Sequence, residues 1–311
     1  MAFGMNPMTG ECDARLRIVY LDDRICAVDK PPGIMVHRTG ITTDRVFLVD
    51  LLRAQLGRRV WTVHRLDRAT SGVLLFALDA AMAAELGRQF EAATINKRYL
   101  AVVRGWLDPR GRIDKPLKGR GNKLRDALTL YRCLATAELP VAVAPHASAR
   151  YSLVEVEPRT GRTHQIRRHF NHLAHPVIGD VNHGDRHHNR LFRERFGCHR
   201  LLLHARTIEF FRPESAVFTS PPTAAAPCPT SGAWRCQAHL QGTGESVSAA
   251  AGRKIPELQR LTASRDAGVV NKPGHNRRIV LTAPMADEMT ALCEALGWSG
   301  PLQDLDRYER G

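Results

Sequence analysis

The most constraining stretch of this sequence covers residues 63–79 and divides at Gly72 into two unlike halves. The first half is charged and hydroxylated, and it reads His64-Arg65-Leu66-Asp67-Arg68-Ala69-Thr70-Ser71. The second half, residues 73–78, is a continuous apolar run, which is typical of a buried strand. We therefore predict a core strand with a charged loop at its entrance, and functional residues are often found on loops held by such a scaffold.

Asp67 is the candidate catalytic group of this loop. Its carboxylate lies between Arg65 and Arg68 in the sequence, and nearby cations favour the ionised form of a carboxylate. An ionised and positioned aspartate can act as a nucleophile or as a general base. The same spacing also fits an exposed ion pair that stabilises a protein by about 0–1 kcal/mol, and charge spacing alone favours that simpler interpretation.

The nine residues 64–72 resemble the catalytic signature of the RluA-type pseudouridine synthases, and the match is long and specific. The resemblance implies that Asp67 is the essential catalytic residue. It also implies that His64, Arg65 and Arg68 contact the substrate, with Arg65 in the gap left by a nucleotide that swings out of its RNA.

A second segment, residues 96–106 (NKRYLAVVRGW), predicts a strand that carries Tyr99. This tyrosine is either an ordinary sheet aromatic or a ring that stacks on an extruded base. The segment resembles the second motif of the same family, which implies that Tyr99 lies in the active site. There it would stack on the base and could accept the proton from C5.

A third segment, residues 161–167 (GRTHQIR), resembles another motif of the family. The resemblance implies that Arg167 pairs with Asp67 and that Ile166 packs against the tyrosine ring. We expect a helix over residues 163–173 with Thr163 as its N-cap. The positive end of its dipole, with Arg162 and His164 beside it, suits a phosphate or a paired carboxylate.

Histidines are dense between residues 164 and 204, but no HExxH or Cys-His spacing accompanies them, so we predict no metal site. Residues 175–184 (HPVIGDVNHG) are close to the family pattern Gly-Asp-x-x-Tyr-Gly, with His183 in place of the usual tyrosine. Together with residues 186–204, this segment resembles the tRNA pseudouridine-65 synthase branch of the family (TruC-type).

Two basic features remain ambiguous at this stage. Residues 108–127 are rich in Gly, Lys and Arg, and we expect an exposed, mobile segment that is either an ordinary solvated loop or a phosphate clamp. Lys30 precedes a Pro-Pro-Gly turn, where a solvated lysine is a more common outcome than a phosphate contact.

Apolar periodicity places helices at residues 46–56, 80–92 and 284–296, with Asp79 as an N-cap. Strands are predicted at residues 17–21, 25–29, 151–157, 202–211 and 278–283. The resemblance implies an α/β (α+β) pseudouridine synthase catalytic fold, with a mostly antiparallel mixed sheet flanked by helices and loops. The catalytic domain would comprise residues 16–213 and 277–298, with tails at residues 1–15 and 299–311.

Residues 214–276 are dominated by Pro, Ala, Ser, Thr and Gly, which is typical of a disordered insertion. We expect a passive insertion. The competing interpretation is an accessory RNA grip made by the cations Arg253, Lys254, Arg260 and Arg265.

Composition limits the partners. The 311 residues carry a formal net charge of +14, which favours nucleic acid over other partners. No signal peptide and no apolar run of about 18 residues is evident, so we expect no membrane association. The 7 cysteines include no CxxC pair, which favours the reducing cytoplasm.

The resemblance therefore implies an isomerase (an intramolecular transferase) that converts uridine to pseudouridine in RNA, at position 65 of tRNA. We expect a cytoplasmic monomer that uses no cofactor and no metal. Two alternatives stay open: a pseudouridine synthase that acts on ribosomal RNA, and a catalytically silent RNA-binding protein.

Overall fold

A computed structural model describes residues 15–38, 44–213 and 276–303 of the chain. Its strands are β1 (Arg17–Leu21), β2 (Ile25–Lys30), β3 (Trp61–Thr62), β4 (Ser71–Ala77), β5 (Asn96–Arg104), β6 (Arg110–Asp114), β7 (Leu117–Lys118), β8 (Leu124–Arg125), β9 (Leu128–Leu139), β10 (Ala149–Pro158), β11 (Leu203–Pro213) and β12 (Asn276–Thr282). Its α-helices are α1 (Leu48–Leu56), α2 (Ala80–Glu91), α3 (Gln165–His172), α4 (Arg186–Phe196) and α5 (Asp287–Ala295), and a 3-10 turn covers Arg120–Asn122.

A ten-stranded mixed sheet organises these elements, with the order β1-β2-β4-β11-β5-β10-β9-β6. Strand β12 pairs with β11, and β3 pairs with β4. The β4–β11 pairing is parallel and the other pairings in this sheet are antiparallel. The predicted mostly antiparallel mixed sheet is therefore confirmed, and helices flank it as expected.

Strand β4 is the buried centre of one half of the sheet, as the apolar run at residues 73–78 predicted. Every residue of β4 is buried, between β2 on one side and β11 on the other. The chain then turns directly into α2, whose N-cap is Asp79, as predicted: the carboxylate accepts a hydrogen bond from the Met82 N–H at 2.7 Å. Met82 and Leu86 on α2 are fully buried in the same core.

Gly72 allows β4 and β11 to approach closely at the point where the charged loop ends. Its φ is +109°, a conformation that disfavours other residues. A Cβ built on Gly72 would lie 2.1 Å from the carbonyl oxygen of Ala205. Because only glycine avoids this clash, the pairing of Ser71 and Gly72 with β11 depends on the residue that ends the charged loop.

In several regions the secondary structure departs from the sequence predictions. Residues 108–127 were expected to be a mobile loop, but they contain strands β6, β7 and β8, and β6 forms an edge of the main sheet. Strand β9 and helix α4 were not predicted. Much of β9 is only partly buried, and α4 is rich in Arg and His, so neither has a clear apolar periodicity.

The predicted insertion at residues 214–276 lies outside the described residues, except for Asn276 in β12. Its flanks are described, and they lie side by side because β11 and β12 pair antiparallel from Thr207↔Thr282 to Pro213↔Asn276. The two predicted tails also fall largely outside the described ranges. Within those ranges, no helix combines the length and the apolar composition needed to cross a membrane.

Candidate active site

Asp67 lies in the loop that leads into β4, and its side chain is 22% exposed. The loop turns tightly here, since the Thr70 N–H donates to the Asp67 carbonyl at 3.1 Å. Arg68 braces the loop against the 30–33 turn, with its Nε donating to the Gly33 carbonyl at 2.9 Å. The carboxylate of Asp67 therefore projects from a loop with a defined backbone.

Lys30 binds the backbone of this loop, and the expectation of a solvated turn lysine was wrong. The residue is 0% exposed, and its Nζ donates to three carbonyls, those of Pro31 at 2.8 Å, Arg68 at 3.0 Å and Thr70 at 2.7 Å. Burial lowers the pKa of Lys30 to about 7, although nearby Asp67 acts in the opposite direction. Lys30 thus joins the end of β2 to the loop that carries Asp67.

Arg167, on α3, reaches the loop that carries Asp67. Its Nη1 lies 3.4 Å from Oδ2 of Asp67, so the structure brings together the two residues that the resemblance paired. The guanidinium makes a closer, two-pronged contact with Asp180, with Nε–Oδ2 at 2.6 Å and Nη2–Oδ1 at 2.7 Å. The side chain of Arg167 is 5% exposed and that of Asp180 is 0% exposed.

Sequence reasoning missed Asp180, which is the structural centre of the site. Its Oδ1 also accepts the backbone N–H groups of Asn182 at 2.9 Å and His183 at 3.0 Å. Burial alone would raise the pKa of Asp180, but the hydrogen bonds from Arg167, His183 and Asn182 lower it below its ordinary value. The signal was present in the Gly-Asp of residues 179–180, but a buried partner for Arg167 cannot be inferred from that pair alone.

His164 begins α3, and the prediction that Thr163 caps this helix was wrong. His164 occupies the N-cap position with φ +53°, and its side chain makes no cap hydrogen bond. A non-glycine residue in this conformation costs about 1–3 kcal/mol, and such strain is concentrated at functional sites. The conformation places the imidazole beside Asp67, with Nε2 at 3.9 Å from Oδ2, and Nδ1 at 3.0 Å from Nε2 of His183.

Tyr99 lies on β5 opposite Ala205 of β11, and it packs against the core cluster that contains Ile166. Burial raises the pKa of Tyr99, and the charge of Asp67 raises it further. The phenol is therefore protonated at neutral pH. The role of Tyr99 as an acceptor of the C5 proton stays a prediction, and its ring is available for stacking.

His64 makes contacts within the protein, and its contact with the substrate stays a prediction. Its Nε2 accepts a hydrogen bond from the Leu75 N–H at 2.9 Å, and the ring stacks on Phe90 with centroids 4.8 Å apart. Burial lowers its pKa to about 3, so the imidazole is neutral. His64 thus ties the start of the loop to β4 and α2.

Of the predicted contact residues that are arginines, Arg65 and Arg68 are exposed and Arg162 is partly buried. Arg162 donates from Nε to the Asp126 carbonyl at 2.9 Å, which ties the turn before α3 to the segment before β9. In the part of the chain that the structure describes, no group of three His, Cys, Asp or Glu residues is placed to hold a metal ion.

Comparisons with known proteins converge on one family. Residues 24–172 match the family model described as RNA pseudouridylate synthase. The chain is 45% identical over 211 residues to tRNA pseudouridine synthase C of Haemophilus ducreyi, an alignment that covers 64% of this chain and 87% of that protein. It is 46% identical over 210 residues to the protein of the same name from Vibrio cholerae, covering 64% and 86%.

A solved structure is similar as well. Human RNA Pseudouridylate Synthase Domain Containing 1 superposes with a TM-score of 0.51 at 27% sequence identity, over 62% of this chain and 78% of that chain.

Proposed function

The chain belongs to the RNA pseudouridylate synthase family, and we propose that it isomerises uridine to pseudouridine in tRNA, at position 65. The observation that carries the proposal is the placement of Asp67, a partly exposed carboxylate on a braced loop, 3.4 Å from a guanidinium that Asp180 holds in place. The identity of 45% to tRNA pseudouridine synthase C of Haemophilus ducreyi supports tRNA as the substrate.

The reaction needs no atom from outside the nucleoside except solvent protons. The bond between N1 of uracil and C1′ of the ribose breaks, and a bond forms between C5 and C1′. C5 loses its proton and N1 gains one, so the product is an isomer of the substrate. Asp67 would act by adding to the sugar, by adding to the base or by removing the C2′ proton, and each route uses an ionised carboxylate.

The target uridine must leave its stack before Asp67 can reach the glycosidic bond. Tyr99, as a protonated phenol beside Asp67, would stack on the extruded base, and Ile166 would hold the ring from behind. Arg65, which is exposed, would fill the gap in the RNA.

The basic surface supports a polyanionic substrate. On α4, the exposed residues Arg186, Arg190 and Arg193 follow an i, i+4, i+7 spacing, which places them on one side of the helix. Phe192 and His188 are buried on the opposite side. The N-terminal part of α4 is connected to the site, because the side-chain amide of Asn189 donates a hydrogen bond to the Asp180 carbonyl at 2.9 Å. We propose that this arginine stripe contacts tRNA phosphates.

A cytoplasmic enzyme is consistent with the free thiols of the described cysteines, Cys26, Cys133, Cys198 and Cys293. A monomer remains our prediction, and light scattering of the purified protein tests it.

Tritium release tests the activity directly, because the C5 hydrogen of uridine is lost when pseudouridine forms. The substrate is a tRNA transcript labelled with [5-³H]uridine, alongside the same transcript with cytidine at position 65. We expect release from the first and none from the second. Asp67→Asn should abolish release, whereas Asp50→Asn, an exposed acid of α1, should not change it.

The two alternatives give different results in the same assay. Release from ribosomal RNA fragments and not from tRNA would assign the enzyme to ribosomal RNA. Binding of tRNA without release from any RNA would indicate a catalytically silent RNA-binding protein. Release from the cytidine-65 transcript would show a different target uridine within tRNA.

A further inference from the structure

His164 and His183 form a hydrogen-bonded pair of imidazoles beside Asp67, and the chemistry proposed above leaves them without a role. Nδ1 of His164 lies 3.0 Å from Nε2 of His183, with the rings edge to face and their centroids 5.2 Å apart. Nε2 of His164 lies 3.9 Å from Oδ2 of Asp67. The two imidazoles are hydrogen-bonded to each other, and with the carboxylate, which lies at ion-pair distance from His164, they form a chain of three groups.

This chain ends on the same carboxylate oxygen that Arg167 contacts. Oδ2 of Asp67 faces both Nη1 of Arg167, at 3.4 Å, and Nε2 of His164, at 3.9 Å. Among the residues that the structure describes, no hydrogen bond is made to Oδ1 of Asp67. One oxygen thus faces two partners, and the other is left for the nucleoside.

Electrostatics decides where the protons of the pair lie. Burial lowers the pKa of both histidines, and Arg167 adds to this effect, while the charges of Asp67 and Asp180 act against it; Arg168 also lowers the pKa of His183. In a hydrogen bond between two neutral imidazoles, one ring donates its N–H and the other accepts it. If His164 donated that proton, its Nε2 lone pair would face a carboxylate. The favourable arrangement has Nε2–H of His183 donating to Nδ1 of His164, and Nε2–H of His164 directed at Asp67.

Asp180 places His183 and Arg167 relative to one another. The backbone N–H of His183 donates to Oδ1 of Asp180 at 3.0 Å, and the same carboxylate binds the Arg167 guanidinium. The loop is tight here, because a Cβ on Gly184 would lie 2.0 Å from the Asp180 carbonyl oxygen. Arg167, which contacts Oδ2 of Asp67, and His183, which contacts His164, are therefore both anchored to one buried carboxylate.

We propose that His183 is a positioning residue, which acts through His164 to orient the carboxylate of Asp67 so that Oδ1 meets the nucleoside. This inference rests on the proposed function for its catalytic consequence, whereas the proton arrangement can be examined without turnover.

Kinetics of two His183 variants test the catalytic consequence. His183→Phe keeps a ring but has no donor, so we expect kcat to fall roughly tenfold to a hundredfold, the range that a small misplacement of a reacting group produces. The KM for tRNA should not change. His183→Gln offers an amide N–H where Nε2 stood, and it should restore most of the lost rate. His172→Phe and His172→Gln, at an exposed histidine of the last turn of α3, are the matched controls and should behave as wild type.

Each other kinetic outcome overturns the proposal. An unchanged kcat for His183→Phe would show that Asp67 needs no such support, provided thermal unfolding confirms that the variant is folded. A raised KM with a normal kcat would make His183 an RNA contact. Failure of His183→Gln to recover any rate in a folded variant would show that the donor is irrelevant.

The proton arrangement is read from long-range ¹H–¹⁵N correlation spectra of the ¹⁵N-labelled protein. We expect His164 to carry its proton on Nε2 in the wild type, and a proton on Nδ1 would overturn the inference. If the wild-type enzyme releases no tritium from any RNA, the proposed function fails, while these spectra still decide whether the imidazole chain exists.

Discussion

Asp180→Asn is the most informative substitution outside the residues that would touch the nucleoside. The variant keeps a carbonyl oxygen for the backbone N–H groups of Asn182 and His183 but removes the charge that pairs with Arg167. Both members of the pair are almost completely buried, at 0% and 5% side-chain exposure. Breaking a buried pair by removing one partner costs about 3–5 kcal/mol, and Arg167 would keep only its longer contact with Asp67, at 3.4 Å. We expect a loss of that size in the free energy of unfolding at pH 7.

Urea denaturation followed by circular dichroism measures this loss, with Asp114→Asn as the control. Asp114 pairs with Arg112 on the exposed edge strand β6, where both side chains are more than half exposed, so its loss should cost about 0–1 kcal/mol. The pKa of Asp180 is lowered in the folded protein, so its stabilising effect is present above the unfolded pKa and lost as the pH falls. The difference between wild type and Asp180→Asn should therefore narrow below about pH 4.

A double variant separates stability from chemistry. In Asp180→Asn/Arg167→Met no buried member of the pair is left charged, so stability should recover by roughly 2 kcal/mol or more relative to the sum of the single variants. Pseudouridine formation should stay low, because Asp67 has lost its guanidinium partner. A loss below about 1 kcal/mol in Asp180→Asn, or strict additivity in the double variant, would refute the assignment of Asp180 as the anchor of Arg167.

Three further outcomes follow from the structure. Gly72→Ala should lower the free energy of unfolding, measured in urea, by about 2–4 kcal/mol, because of a backbone clash and a positive φ. The control Gly57→Ala has a positive φ but open space and should cost only about 1–2 kcal/mol, so equal losses in the two variants would contradict the clash. Between about pH 7 and 10.5 the unfolded chain binds one proton more than the folded protein at Lys30, so wild-type stability should rise with pH, and Lys30→Met should remove this rise. Parallel curves of stability against pH for the two proteins would show that Lys30 is not the cause. Replacement of residues 214–275 by an Asn-Gly turn should preserve the unfolding midpoint and the kinetic constants on tRNA, because Pro213 and Asn276 are paired opposite each other. A raised KM with a normal kcat would instead identify the replaced segment as an RNA-binding element.

Local patterns were sufficient for the elements whose signals lie within a few consecutive residues. The apolar run at residues 73–78 identified β4, and the position of Asp79 before an amphipathic segment identified the N-cap of α2. Both depend on contacts between near neighbours in the chain, as the Asp79–Met82 hydrogen bond shows. The motifs containing Asp67, Tyr99 and Arg167 were recognisable for a different reason, since each is a distinctive local string that resembles a known family.

Only the tertiary structure decided what surrounds those residues. Lys30 contacts the carbonyl of Thr70 across 40 positions, and Arg167 lies 100 positions from Asp67, so neither contact has a local signal. Whether a polar side chain is solvated or buried depends on which strands pack around it, and sequence reasoning misjudged Lys30 for this reason. The sequence by itself determined the core strand, the helix cap and the motifs that resemble a known family. The fold alone determined that Asp180 is buried opposite Arg167 and that His183 contacts His164 beside Asp67, because these contacts join residues from separate segments of the chain.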